Sequence, residues 1–266
     1  MKLLTWLRRH ALAFVAMGVL TILLVPNVVV AVFSFNKPNG RYNYEWVRFS
    51  TDAWLNPCGT PGICDSLGLS LRIGLIASVI ATVLGTMVAF ALGRHRFRGR
   101  SGTNLLIFMP MATPEVVMGS SLLTLFIALG VSTGTLAILI AHIMFCLSFV
   151  VVAVKARVSA LDPKLEEAAA DLGANPFQTF VRVTLPLAAP GIAAGGLLAF
   201  SLSFDDYIIT NFNASPSSIT FPMYVWGAAQ RGTPVQINVI GTVMFVLSVT
   251  IVLVGQLVAA RRARKA

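Results

Sequence analysis

Residues 134–155 read "GTLAILIAHIMFCLSFVVVAVK", an apolar run interrupted by little more than His142 and Ser148 and closed by Lys155. About 20 apolar residues in a helix cross the hydrocarbon core of a bilayer. The run is continuous rather than alternating, which argues against a barrel strand, and in lipid only helices or closed barrels satisfy the backbone. Working outward, five further stretches have the same character: 11–34, 70–93, 105–129, 187–210 and 237–259. The whole chain is 56% hydrophobic and 11% charged, with a mean hydropathy of +0.81; soluble domains carry about 25% charged residues. The reading is an all-α integral membrane protein, one transmembrane domain over residues 1–266 with six spanning helices.

The net charge of +10 invites a nucleic-acid reading, but its distribution opposes one. Lys2, Arg8 and Arg9 precede the first span. Arg94, Arg96, Arg98 and Arg100 separate the second from the third, and Lys155, Arg157, Lys164 and Arg182 the fourth from the fifth. Arg261, Arg262, Arg264 and Lys265 follow the sixth. The opposite side holds only Lys37, Arg41, Arg48, Arg72 and Arg231. The positive-inside rule puts both termini in the cytoplasm of a multi-pass protein whose basic surplus is a topology signal. The partner of this surface is membrane lipid, not nucleic acid. The first span is too long for a cleaved signal peptide and lacks a clean A-x-A site.

Cys146 lies inside a span. Cys58 and Cys64 lie in the outer loop (36–67), in "CGTPGIC", where an oxidising compartment permits a disulfide; free thiols are the alternative. His142 and Cys146, at i, i+4, are too few ligands for a metal site.

Residues 160–186 form the one unusual cytoplasmic loop. Asp162 and Pro163 suit the start of a helix, Glu166 and Glu167 fall in its early turns, and Gly173 suits its end. Asn175 and Pro176 repeat the start signal for a second short helix, and Leu185-Pro186 reads as its end, turning the chain back to the bilayer. Leu165, Ala168, Ala169 and Leu172 share one face of the first helix. An apolar stripe rimmed by acids suits a protein groove better than an anionic leaflet. "EAAADLGANPFQTFVRVTLP" (167–186) resembles the EAA loop of ATP-binding-cassette importer permeases: EAA, three residues, Gly, nine residues, I-x-LP, with Val183 in place of the isoleucine. The resemblance implies the type I importer permease fold and a helix-turn-helix that couples to a separate ATPase through Glu166, Glu167, Ala168, Ala169, Asp171, Gly173 and Pro186. The chain carries no G-x-x-x-x-G-K-[ST] loop, so it binds no cofactor itself; ATP and Mg²⁺ belong to that ATPase.

Acids inside the spans carry the remaining signal. "LAFSLSFDDYIITNF" (198–212) ends a span with Asp205 and Asp206, ~26 Å from its cytoplasmic start at 1.5 Å per residue. "FMPMATPEVVMG" (108–119) sets Glu115 between Pro114 and an apolar run, ~15 Å from its own cytoplasmic end. Prolines 110 and 114 should break that helix, a familiar setting for a transport path. Carboxylates in hydrocarbon are costly and mark function by default. The structural alternatives are an ion pair to Arg72 or Arg231 for one aspartate, and a protonated carboxyl for Glu115. Acids at two depths suit an extended polycation, with Phe204, Tyr207, Tyr224 and Trp226 available for cation–π contact.

The same segments, with "AHIMFCLSFVVV" and "TFPMYVWGAAQRGTPVQIN", resemble the second permease of spermidine/putrescine importers. The resemblance implies that Glu115, Asp205, Asp206, Tyr207 and Phe204 line a polyamine path in a prokaryotic inner membrane. It also implies a heterodimer with a homologous permease, two cassette ATPases and an extracytoplasmic binding protein. Another cationic or small solute, such as an amino acid or metal chelate, is the alternative cargo. An intramembrane acid–base enzyme is a distant third, because no HExxH, GxSxG or catalytic Cys/His spacing occurs.

Overall fold

The computed structural model describes residues 2–263, with side chains described for residues 10–255 and 257. The terminal charges Lys2, Arg8, Arg9, Arg261, Arg262, Arg264 and Lys265 therefore lie outside the described side chains. Among the described residues there is no strand, only an isolated bridge between Asn36 and Phe49.

Among the described residues, twelve α-helices follow in order: α1 (Lys2–Phe33), α2 (Asp52–Leu55), α3 (Ile63–Arg94), α4 (Arg100–Ala112), α5 (Glu115–Ala128), α6 (Thr135–Ser159), α7 (Lys164–Asp171), α8 (Pro176–Thr179), α9 (Leu185–Asp205), α10 (Ile208–Asn213), α11 (Phe221–Arg231) and α12 (Val235–Ala263). Five stretches are single helices long and apolar enough to span a bilayer, in α1, α3, α6, α8 through α9, and α12. The sixth expected span, 105–129, is instead the pair α4 and α5, bent by 109°. The bend falls at Pro114, while Pro110 stays inside α4. Proline excludes the helical region for the residue before it, and Thr113 is accordingly extended at φ −81°, ψ 131°.

The chain forms two compact units. In the first, residues 1–64 and 225–266, α1 packs on α12 and both leave their apolar side chains at the surface, Leu12 at 86% exposure. Such a helix has its preferred environment in lipid. The outer loop is organised by Asn36, which is buried and bonds to Asn43, the Glu45 carbonyl and the Val47 amide at 2.7–2.9 Å. Phe35 stacks on Phe49 and Trp54. Lys37 pairs with Asp52 and, with Ser50, holds that carboxyl below its usual range. Cys58 and Cys64 are joined in a disulfide with Cα atoms 5.5 Å apart.

In the second unit, residues 65–224, α6 is the core helix. Its buried face, Ala137, Ala141, Phe145, Val150, Val154 and Val158, receives α9. The approach is close because α9 presents Gly191 and Gly195; a Cβ on Gly191 would lie 2.5 Å from Arg157 Cβ. The GxxxG spacing thus serves packing within this chain.

The end of the fifth span and the cytoplasmic loop both differ from expectation. The span stops at Asp205, not 210, because Asp206 (φ −64°, ψ 124°) leaves the helix and starts a new one. The chain also does not turn at Leu185-Pro186. From Pro176 it runs through a π-helical turn, Phe180–Thr184, directly into α9, with Leu185 N–H donating to the Phe180 carbonyl. Pro186 lacks an N–H and crowds the carbonyl four residues back; the wider π register accommodates both.

Candidate functional site

The α9–α10 junction gathers four polar side chains from three helices. Asp206 behaves as a cap for α10: its Oδ2 accepts from Thr210 N at 2.7 Å and Thr210 Oγ1 at 2.8 Å, and its Oδ1 from Ile209 N at 3.3 Å. A short polar side chain that collects amides in this way competes with helix continuation, which is why α9 ends here. Behind the carboxylate lies His142 of α6, with Nε2 at 3.3 Å from Asp206 Oδ2 and 3.0 Å from Thr210 Oγ1, and Nδ1 at 2.7 Å from Ser203 Oγ. The His142 and Asp206 side chains are 2% and 4% exposed. Asp206 therefore sits against His142, and not against Arg72 or Arg231, the structural alternative for one of the two aspartates.

Asp205, one residue earlier, points elsewhere. Neighbouring residues on a helix diverge by about 100°, and Asp205 is exposed while Asp206 is enclosed. Glu115 occupies the first turn of α5 and is exposed too. One turn on, Gly119 abuts α10: a Cβ there would meet Phe212 at 2.8 Å, and Asn213 Nδ2 reaches the Gly119 carbonyl at 3.5 Å. This packing brings the start of α5, and with it Glu115, to the α9–α10 junction that Asp205 precedes. Phe204 stacks between Phe200 and Phe221, at 5.9 and 6.5 Å, and Tyr207 is half-buried at the helix restart.

The elbow between α6 and α9 shows a parallel arrangement. Asp162 Oδ1 accepts from Lys164 N at 3.0 Å at the start of α7, and Gly173 ends the helix at φ +84°. Asn175 and Gln178 form a reciprocal capping box at α8. Glu167, Ala168 and Asp171 are exposed, Ala169 is half-exposed, and no residue of α7 is buried. Leu172 at 89% and Phe177 at 74% stand out as apolar groups on this polar end of the molecule. Glu166 differs: Arg94 Nη2 lies 3.1 Å and Thr184 Oγ1 3.0 Å from its Oε1. Pro186 is exposed in the first turn of α9, apart from α7.

Sequence reasoning missed the His142–Asp206 pair and the inward turn of Glu166. The available signal was His142 itself, an ionisable group amid an apolar run that needs a stated partner.

Long apolar helices, a broken span with a carboxylate at the start of its second half, another at the end of α9, and an exposed elbow between α6 and α9 are features of a membrane permease. The family model described as "Binding-protein-dependent transport system inner membrane component" matches residues 81–265, and the chain belongs to that family. It is similar to the spermidine/putrescine transport system permease protein PotC of Escherichia coli K12, at 36% identity over 237 residues and 89% of each chain. It is also similar to the putrescine transport system permease protein PotI of the same organism, at 37% identity over 231 residues, 84% of this chain and 82% of that one. The fold matches a bacterial ABC transporter that imports alginate, with TM-score 0.65 at 19% identity over 93% of this chain and 94% of that one. The chain is accordingly a transport permease subunit of an ABC importer and not an enzyme.

Proposed function

We propose that this permease carries polyamines. The observation that carries the reading is that α5 packs on α10, which puts two exposed carboxylates from different helices, Glu115 at the start of α5 and Asp205 at the end of α9, near one helix junction. Two anionic groups on a path through lipid favour a cargo with more than one ammonium group, and Tyr207 beside them offers an aromatic ring to it. The relatives PotC and PotI, whose names specify spermidine and putrescine, support the same cargo. On this reading Asp206 holds the junction together, and Asp205 and Glu115 meet the solute.

The chain spans an inner membrane with both termini cytoplasmic, forms half of a translocation path with a second homologous permease, and receives its cargo from an external binding protein. The surface of α7, with Glu167, Ala168, Ala169, Asp171 and Gly173, docks two copies of a cassette ATPase across the dimer, one per permease. ATP and Mg²⁺ act in that partner.

Uptake of labelled putrescine and spermidine by the assembled transporter tests the cargo. Asp205→Asn and Glu115→Gln should each lower the uptake rate by about tenfold, on the order of 1.4 kcal/mol, with arginine competing poorly in the wild type. Uptake that arginine blocks as well as putrescine does would reassign the cargo to another cation. Unchanged uptake in both variants would remove these residues from the path.

A further inference from the structure

The elbow's second acid has a task distinct from its neighbour's. Glu166 lies in the first turn of α7, Arg94 is the last residue of α3, and Thr184 closes the π-helical turn that leads into α9. A single oxygen, Glu166 Oε1, receives both Arg94 Nη2 at 3.1 Å and Thr184 Oγ1 at 3.0 Å. That atom therefore joins three elements: the exposed helix, the end of one span and the hinge into another.

The surroundings leave few other connections. No residue of α7 is buried. A cleft of about 710 Å³, lined by Phe90, His95, Ala170 and Phe180 among others, lies along α3 and α7. Where close packing is absent, dispersion contacts cannot carry a displacement, because they vanish within an ångström of separation. Beyond the clasp, α7 touches α8 and the π-helical turn, and Leu165 lies in a narrow crevice with Leu161, Val183 and Leu187. A guanidinium–carboxylate contact is charge-assisted and directional, so it transmits pull as well as push. The charged and titratable groups facing it are His95 in the cleft and Asp162 in the crevice.

We propose that the Arg94–Glu166–Thr184 clasp is the linkage through which movement of α7 reaches α3 and the start of α9. Glu166 is a positioning residue: it touches no cargo, and it moves the spans when α7 moves. The Arg94 and Glu166 side chains are 18% and 34% exposed, so solvent screens the pair and its loss leaves the fold in place. The π turn suits the receiving end, since its widened register is a local departure at which a helix can shift.

This inference rests on the proposed docking of an ATPase at α7, and the experiment separates the two. The full transporter, purified with its ATPase and binding protein in liposomes, is assayed for ATPase co-purification, ATP hydrolysis and solute moved per ATP. In Glu166→Ala and Arg94→Ala, the ATPase should co-purify and hydrolyse ATP as in the wild type, while solute per ATP falls about tenfold, within the usual span of coupling energies. The exchange Arg94→Glu with Glu166→Arg should recover part of that ratio, and Glu166→Gln, which keeps the bond from Thr184, should lose less than Glu166→Ala. An unchanged solute-to-ATP ratio in both alanine variants would overturn the linkage. Loss of ATPase co-purification in Glu166→Ala would overturn it too, making Glu166 a docking residue. A wild-type permease that never binds an ATPase would instead refute the docking reading on which it rests.

Discussion

The α9–α10 junction and the α7 elbow each set two acids side by side, and each pair divides in the same way. Asp206 and Glu166 are bound by their own chain; Asp205 and Glu167 face outward. The pairs differ in what binds the inner acid. Asp206 is enclosed among amides, a hydroxyl and His142 from α6, with its side chain almost fully buried. Glu166 is held by one arginine and one threonine on a helix that buries nothing. Glu166 and Glu167 diverge by about 100° on α7, and Asp206 leaves the helix that Asp205 ends, so the members of each doublet face different directions. The lesson is that a doublet of acids supplies one anchor and one outward charge, and the depth of the anchor decides whether losing it costs the fold or only the transmission of force.

The largest expected effect therefore belongs to Asp206→Ala. Removing it takes the acceptor from Thr210 Oγ1 and from the Ile209 and Thr210 amides and leaves His142 facing a void, and each buried polar group left unmet costs about 1–3 kcal/mol. The detergent-solubilised protein should lose its folded, monodisperse form at a clearly lower temperature than the wild type, while Asp205→Ala should match the wild type. Asp206→Asn, which keeps one oxygen for the cap, should fall between them. Equal melting of Asp205→Ala and Asp206→Ala would break the comparison at its deeper site.

Next comes Glu167→Lys, which tests the outward member at the elbow. Reversing an exposed charge at a docking surface should weaken ATPase association by about tenfold and do so more at low salt. Titrated co-purification, run beside Glu166→Ala, sharpens the contrast: the first variant should lose the partner, the second should keep it. If both bind equally well, α7 is not where the partner sits.

How much of this was legible in the sequence depends on how local each cause is. Apolar runs fixed the long helices, because a span of 20 residues needs no distant partner to be recognised. The caps of the elbow were equally local: Gly173 at positive φ and the Asn175–Gln178 box lie within a few residues of what they terminate. The bend at Pro114 was half legible. Two prolines signalled a break, but only Pro114 makes one, since Pro110 remains helical within α4. What stayed hidden was tertiary. His142 and Asp206 are far apart along the chain, and their pairing depends on α6 and α9 closing at Gly191 and Gly195. The same holds for Arg94 and Glu166. The continuous passage from α8 into α9 was hidden for another reason: Leu-Pro is a stop signal in an α register, and a π turn absorbs it.

The smallest effect expected is Asn175→Ala, and it probes whether the elbow's shape is local in energy as well as in cause. Asn175 Oδ1 accepts from Gln178 N at 2.9 Å, and Asn175 N donates to Gln178 Oε1 at 3.1 Å. Losing an N-cap side chain costs about 1 kcal/mol, and here that cost falls on α8, a helix of a single turn. Hydrogen exchange at residues 177–180 should accelerate by about fivefold, the factor that 1 kcal/mol implies. Exchange in α6 and at the α9–α10 junction should stay at wild-type rates, since no bond of the cap reaches them. If exchange at the junction rises along with that in α8, the two regions share one cooperative unit, and the distinction between a deep anchor and a shallow one has to be given up.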